Sequence, residues 1–132
     1  MQFLHPPGWA PAKGYANGIA AEGRLVVVAG QIGWDADQTL VSGGLAEQTE
    51  QALANIAAVL AEADGRPEHV VRMTWYVTDK HAYLAQTKAI GAAYRRVFGL
   101  HFPAMTLVEV ADLLEDGALV EIEATAVVPI PA

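Results

Sequence analysis

Cysteine is absent from this 132-residue chain. Its absence excludes disulfides, thiolate metal ligands and a cysteine nucleophile. Long apolar runs are missing too. Although 53% of the residues are hydrophobic, the unbroken stretches are a few residues long, far short of the ~20 that span a bilayer, so no membrane partner is expected. The opening MQFLHPPGWAPAKG lacks the basic start and apolar centre of a secretory signal, and a cytoplasmic location is the expectation. Positive charge is scarce: eight Lys and Arg face fifteen Asp and Glu, for a formal net charge of −7. Only Arg95 and Arg96 are adjacent. Nucleic-acid-binding surfaces gather cations on one face, so no nucleic-acid partner is expected.

Further signatures are wanting. His5, His69, His81 and His101 show no ligand spacing, and a metal site needs clustered His, Cys or carboxylates. Ser42 has no G-x-S-x-G elbow around it, and AGQIG lacks both a dinucleotide fingerprint and a Walker lysine. Neither metal nor cofactor is predicted.

What is present begins with the last third of the chain. In Leu119–Val128 the side chains alternate. Val120, Ile122, Ala124, Ala126 and Val128 form an apolar face that requires a core; Leu119, Glu121, Glu123, Thr125 and Val127 form a mixed face suited to a cleft or a subunit interface. Upstream, three prolines and two glycines punctuate residues 1–14, which read as an extended arm. Tyr15–Ala21 and Arg24–Gly30 read as two strands joined at Glu22-Gly23, with LVVVAG fully buried by composition. Leu45, Thr49, Ala52, Ile56, Leu60 and Ala63 mark one amphipathic helix. Val70–Thr78 alternates as a strand. Asp79 is a good N-cap for a second helix, with its stripe on Tyr83, Thr87, Ile90, Tyr94 and Val97 and its end at Gly99. His101–Val128 supplies two final strands.

The order is ββαβαββ, an α+β fold with a mixed sheet and two helices on one face, in one domain covering residues 1–132. The two crossovers are expected to be right-handed. Two helices leave the other sheet face bare, and a second subunit is expected there.

These segments, in this order, resemble the RidA (YjgF) family of imine and enamine deaminases. GYANGI at Tyr15 is similar to its G-P-Y motif, Ala29-Gly30-Gln31-Ile32 to its S-G-Q-I, and Gln48, Leu53, Asn55 and Leu60 to its first helix. Thr74, Tyr76, Val77, Thr78 and Asp79 match its T-x-(Y/F)-(V/L)-T-D strand end. Pro103-Ala104-Met105-Thr106 stands for P-A-R-(S/T), and Val120–Ala126 for V-E-I-E-A-x-A. The resemblance implies a chorismate-mutase-like fold, a homotrimer with clefts between subunits, and a small-molecule substrate or ligand. It also implies a catalytic Glu121 and a ligand-binding set of Tyr15, Ala29, Gly30, Gln31, Gly91, Met105, Thr106 and Leu107.

The departures qualify the activity. Met105 replaces the arginine that grips the substrate carboxylate in deaminating members, and losing one charged hydrogen bond costs roughly 1.5–3 kcal/mol. Ala29 replaces the serine, and Gly91 is the nearest counterpart of the family's asparagine. The expectation is hydrolysis of a C=N bond in a larger or less anionic substrate, with release of ammonia and Glu121 handling the proton. The alternatives are that Glu121 only pairs with an arginine of a neighbouring subunit, or that a trimer binds a small metabolite without turning it over. Glu123 is expected to be structural, and Trp34 and Trp75 to be packing residues.

Overall fold

The structure is a computed structural model that describes residues 1–131. Its main sheet contains β3 (Arg24–Ile32), β4 (Val70–Val77), β5 (Ala104–Glu109) and β6 (Val120–Val128), in spatial order β3-β6-β4-β5. β6 runs antiparallel to both neighbours, and β4 and β5 are parallel. Two long helices, α1 (Leu45–Ala61) and α3 (Thr87–Phe98), lie on one face. A short α2 (Lys80–Ala85) precedes α3.

The alternation in β6 dictates this layering. Val120, Ile122, Ala124, Ala126 and Val128 are all buried, whereas the residues between them are partly or fully exposed. Beneath them α1 contributes Leu45, Ala52, Leu53, Ile56 and Leu60. β4 adds Met73, Trp75 and Val77, and α3 adds Ile90, Tyr94 and Phe98 to the same core. The other sheet face has no helix over it, as expected from two crossovers on one side.

Polar groups of α1 fix what lies at its edges. Gln48 is buried; its amide N–H donates to the Gly117 carbonyl at 3.0 Å and its Oε1 accepts from the Leu119 N–H at 2.8 Å. Asn55 donates to the carbonyls of Ile32 and Trp34, at 3.2 and 2.9 Å. One helix thus clamps both the exit of β3 and the entry to β6, satisfying backbone groups that the sheet leaves free.

Three expectations need correction. The Tyr15–Ala21 and Arg24–Gly30 segments do not form a hairpin. Instead Gly18–Ala20 is a strand, β2, pairing antiparallel with β1 (Gln2–Leu4) from the supposed arm. The chain runs close against the end of β6 at Gly23, where φ is +149° and a β-carbon would meet the Val128 carbonyl oxygen at 2.3 Å. It passes from one sheet to another there rather than reversing within one. Second, β3 is not fully buried: Leu25 and Val27 are 65% and 71% exposed. It is an edge strand with only β6 beside it and α1 covering one face. Third, the helix begun at Asp79 is broken. Asp79 does cap it, its Oδ1 accepting from the N–H groups of His81 and Ala82. Gln86 then leaves the helical region (φ −122°, ψ 19°) and serves as the N-cap of α3.

The Gln48 clamp yields a stability prediction. Gln48→Leu fills the same space but strands the Gly117 carbonyl and the Leu119 N–H, so the variant should lose about 1–3 kcal/mol in urea unfolding at fixed protein concentration. An unchanged midpoint would show that the clamp contributes nothing.

Candidate functional site

The bare sheet face carries the acids. Register puts Tyr76 opposite Glu121, Thr74 opposite Glu123 and Arg72 opposite Thr125. The Tyr76 hydroxyl donates to Glu123 Oε1 at 2.9 Å. That bond, then partial burial and the nearby charges of Glu123 and Glu121, hold the Tyr76 phenol above its ordinary range. Glu123 is therefore tied to the sheet by a neighbour on β4. Glu121 differs. Among the described residues the two salt bridges are Arg66–Glu68 and Arg96–Glu50, so the half-buried Glu121 is unpaired.

What holds Glu121 in place is a bulge. The β3–β6 register shifts between Val28 and Gln31, one extra residue lying on β3. Gly30 sits within it, and a β-carbon there would stand 2.9 Å from Glu121 Cδ and 3.0 Å from its Oε2. Only glycine lets the carboxylate lie flat over the strand. The bulge also brings the Gln31 amide against the Ala29 carbonyl at 3.2 Å. Glu121, Ala29, Gly30 and Gln31 thus gather at the β3 edge.

The other half of the expected site lies elsewhere. On the helix side of β5 a cavity of about 520 Å³ opens between the sheet, α2 and α3. Strand alternation turns Met105 and Leu107 into it, beside Met73 and Trp75 of β4. Its walls include Trp75, Tyr83, Tyr94 and Phe102. The Tyr94 and Phe102 rings stack at 5.3 Å, and Trp75 lies 6.3 Å from Tyr94 and 6.5 Å from Tyr83. Burial pushes the phenols of Tyr83 and Tyr94 upward, and the Tyr94 hydroxyl donates to the His101 carbonyl. Both remain neutral near pH 7. Tyr15, 44% exposed, and Gly91 complete the rim.

The structure therefore divides the predicted residues. Tyr15, Gly91, Met105 and Leu107 meet at the cavity; Glu121, Ala29, Gly30 and Gln31 meet at the bulge. Three strand spacings of ~4.8 Å separate β3 from β5, and Met105 and Glu121 point to opposite faces. Thr106 faces the other side, pairing with Thr74, but borders a small depression with Tyr15 and Met105 of the first group, next to Arg72 and Asn17. Trp75 does pack, but it is also a cavity wall. The sequence reading missed the aromatic lining and two rim cations, Lys13 and Arg95. The signal for Arg95 was available: Thr87, Gly91 and Arg95 recur every four residues on one helix face.

A family model described as Endoribonuclease L-PSP matches residues 7–128. The RutC family protein UK114 of Drosophila melanogaster is 39% identical over 117 residues, covering 88% of this chain and 80% of that one. A human 2-iminobutanoate/2-iminopropanoate deaminase is 35% identical over 114 residues, covering 86% and 79%. Among solved structures, the Rid family protein YyfB of Yersinia pestis, described as of unknown function, superposes with a TM-score of 0.84 at 34% identity, covering 96% and 98%.

The bulge makes its own prediction. Gly30→Ala should fold, with a thermal midpoint within about 4 °C of the parent, because the atom it displaces is the end of a flexible side chain. Its crystal structure should show the Glu121 carboxylate swung off the strand. A carboxylate still in its original place would contradict the packing described here.

Proposed function

Since the chain belongs to the Endoribonuclease L-PSP family, which includes the Rid proteins and the imine deaminases, we propose that it is an imine or enamine deaminase completed by assembly. The observation that carries the reading is an unpaired, half-buried Glu121 laid against the Gly30 bulge, on a sheet face that no helix covers. Leu119 exposes apolar surface beside it, and Leu25 and Val27 do so further along the same face. A second copy docking there brings its own cavity to the acid of the first. Family resemblance makes the assembly a homotrimer with three such clefts, each drawing Glu121 and residues 29–31 from one subunit and Tyr15, Gly91, Met105 and Leu107 from the next.

In that cleft the reaction is a hydrolysis. Water adds its oxygen to the C=N carbon while Glu121 takes one of its protons. The carboxylic acid so formed hands that proton to the nitrogen, giving a carbinolamine; Glu121 then takes the hydroxyl proton and passes it to the nitrogen as the C–N bond breaks, so that ammonia leaves and a carbonyl remains. No electron carrier or metal ion is required for this balance. Met105 and the aromatic walls favour a substrate with a larger apolar body than a two- or three-carbon side chain. An alternative is a binding protein that holds such a molecule unchanged, favoured by the largely apolar lining of the cavity.

The decisive measurement is ammonia release from 2-imino acids generated in situ. Glu121→Ala should lower kcat at least about 100-fold while leaving the oligomer intact. Full activity in that variant would remove the acid from the mechanism. Mixing it, after joint unfolding and refolding, with a cavity-blocked Met105→Trp variant should restore part of the activity, because hybrid clefts pair one intact half from each. No recovery from two separately inactive, well-assembled variants would place the whole site within one subunit.

A further inference from the structure

The cavity beside β5 has an electrostatic character opposite to that of the molecule. The chain carries a formal −7, yet among the described residues no Asp or Glu lines this cavity, while Lys13 and Arg95 both do. Neither cation is in a salt bridge among the described residues. The sequence neighbour of Arg95, Arg96, behaves differently: its Nε donates to Glu50 on α1 at 2.6 Å. Arg95 turns the other way. Its Nη1 lies 3.3 Å from where a β-carbon on Gly91 would stand, so the missing side chain one turn earlier leaves room for the guanidinium at the cavity edge.

A second, independent feature is a donor without an acceptor. Trp75 is 5% exposed, and its indole N–H is buried with no hydrogen-bond partner. An unpaired buried donor is costly, and this one belongs to a wall of the same cavity. Aromatic walls, rim cations and no acid define a recognisable ligand chemistry. An apolar or aryl body fills the interior, and an anionic head stays at the mouth.

We propose that Arg95, assisted by Lys13, is the anion-recognising residue of this cavity, and that the ligand is a carboxylate bearing an aryl or similarly bulky apolar group. In the deaminase reading, on which the identity of the reacting group rests, the substrate class becomes arylalkyl 2-imino acids. Arg95 acts from α3, opposite the strand position held by Met105. A guanidinium offers a planar fork of donors that matches a carboxylate. Because Arg95 is exposed and otherwise unbound, its replacement leaves the core untouched.

Calorimetric titration of the intact protein tests this with 3-phenylpropanoate, its uncharged amide and propanoate. The phenyl acid should bind at least about tenfold more tightly than either of the others, and more weakly as salt is raised. Arg95→Met should reduce acid binding about tenfold or more without changing amide binding; Arg95→Lys should recover part of the loss, and Lys13→Met should have the smaller effect. Equal binding of acid and amide, or an Arg95→Met variant that binds the acid normally, would overturn the proposal, as would no detectable binding of the phenyl acid. Repeating the titration on Glu121→Ala separates the two readings. Acid binding without any imine turnover in the parent protein would leave this inference standing and remove the deaminase; turnover with indifference to charge would do the reverse.

Discussion

Everything in this molecule depends on the burial of alternate residues of β6 against α1. Ile122, Val120 and Ala126 are fully sequestered, and a period of two then forces Glu121, Glu123 and Thr125 to the opposite side. A slip of one residue would place two carboxylates in the core. The register is therefore fixed by a large apolar contact, which sets the face the acid occupies, and the Gly30 bulge then sets how its carboxylate lies. Gln48 and Asn55 refine the arrangement by holding the strand ends to the helix that creates the core.

The same constraint separates the candidate site into halves. A sheet covered on one side offers two kinds of surface: a helix-lined hollow where the covering is imperfect, and a bare face where it is absent. Tyr15, Met105 and Leu107 lie at the first, Glu121 and the glycine bulge at the second. Joining them within a single subunit is geometrically closed, since the strands between are themselves core. The proposed cleft therefore requires a second copy, and the exposed Leu25 and Val27 offer apolar area for it.

Much of this was legible in the sequence because it rests on periodicity. The β6 alternation, the α1 stripe and the Asp79 cap all follow local rules that tertiary contacts reinforce. The failures have equally physical causes. Leu25 and Val27 look buried by composition, but composition does not reveal which strand lies at a sheet edge. The Tyr15–Gly30 hairpin failed because a short strand found a partner at the N-terminus, a choice that depends on long-range geometry. Thr106 faces the side opposite Met105 and Leu107, as strand alternation requires, yet shares a shallow depression with Met105 and Tyr15. Arg95 was overlooked since a single cation on a helix surface is ordinarily solvated. The Thr87–Gly91–Arg95 spacing places it on the cavity side of α3, and the absence of acids around it, visible in three dimensions, marks it out.

The hollow between β4, β5 and the helices is assembled almost wholly from one contiguous stretch, Trp75 to Leu107, together with Lys13–Tyr15 from the entry segment. The carboxylate and the bulge come from outside that stretch. In the proposed deaminase, ligand choice and proton handling are therefore encoded in different parts of the gene. Selection can rewrite the first as a cassette while the second stays fixed, so a lineage built on this scaffold can diversify its chemistry's targets without reinventing the chemistry.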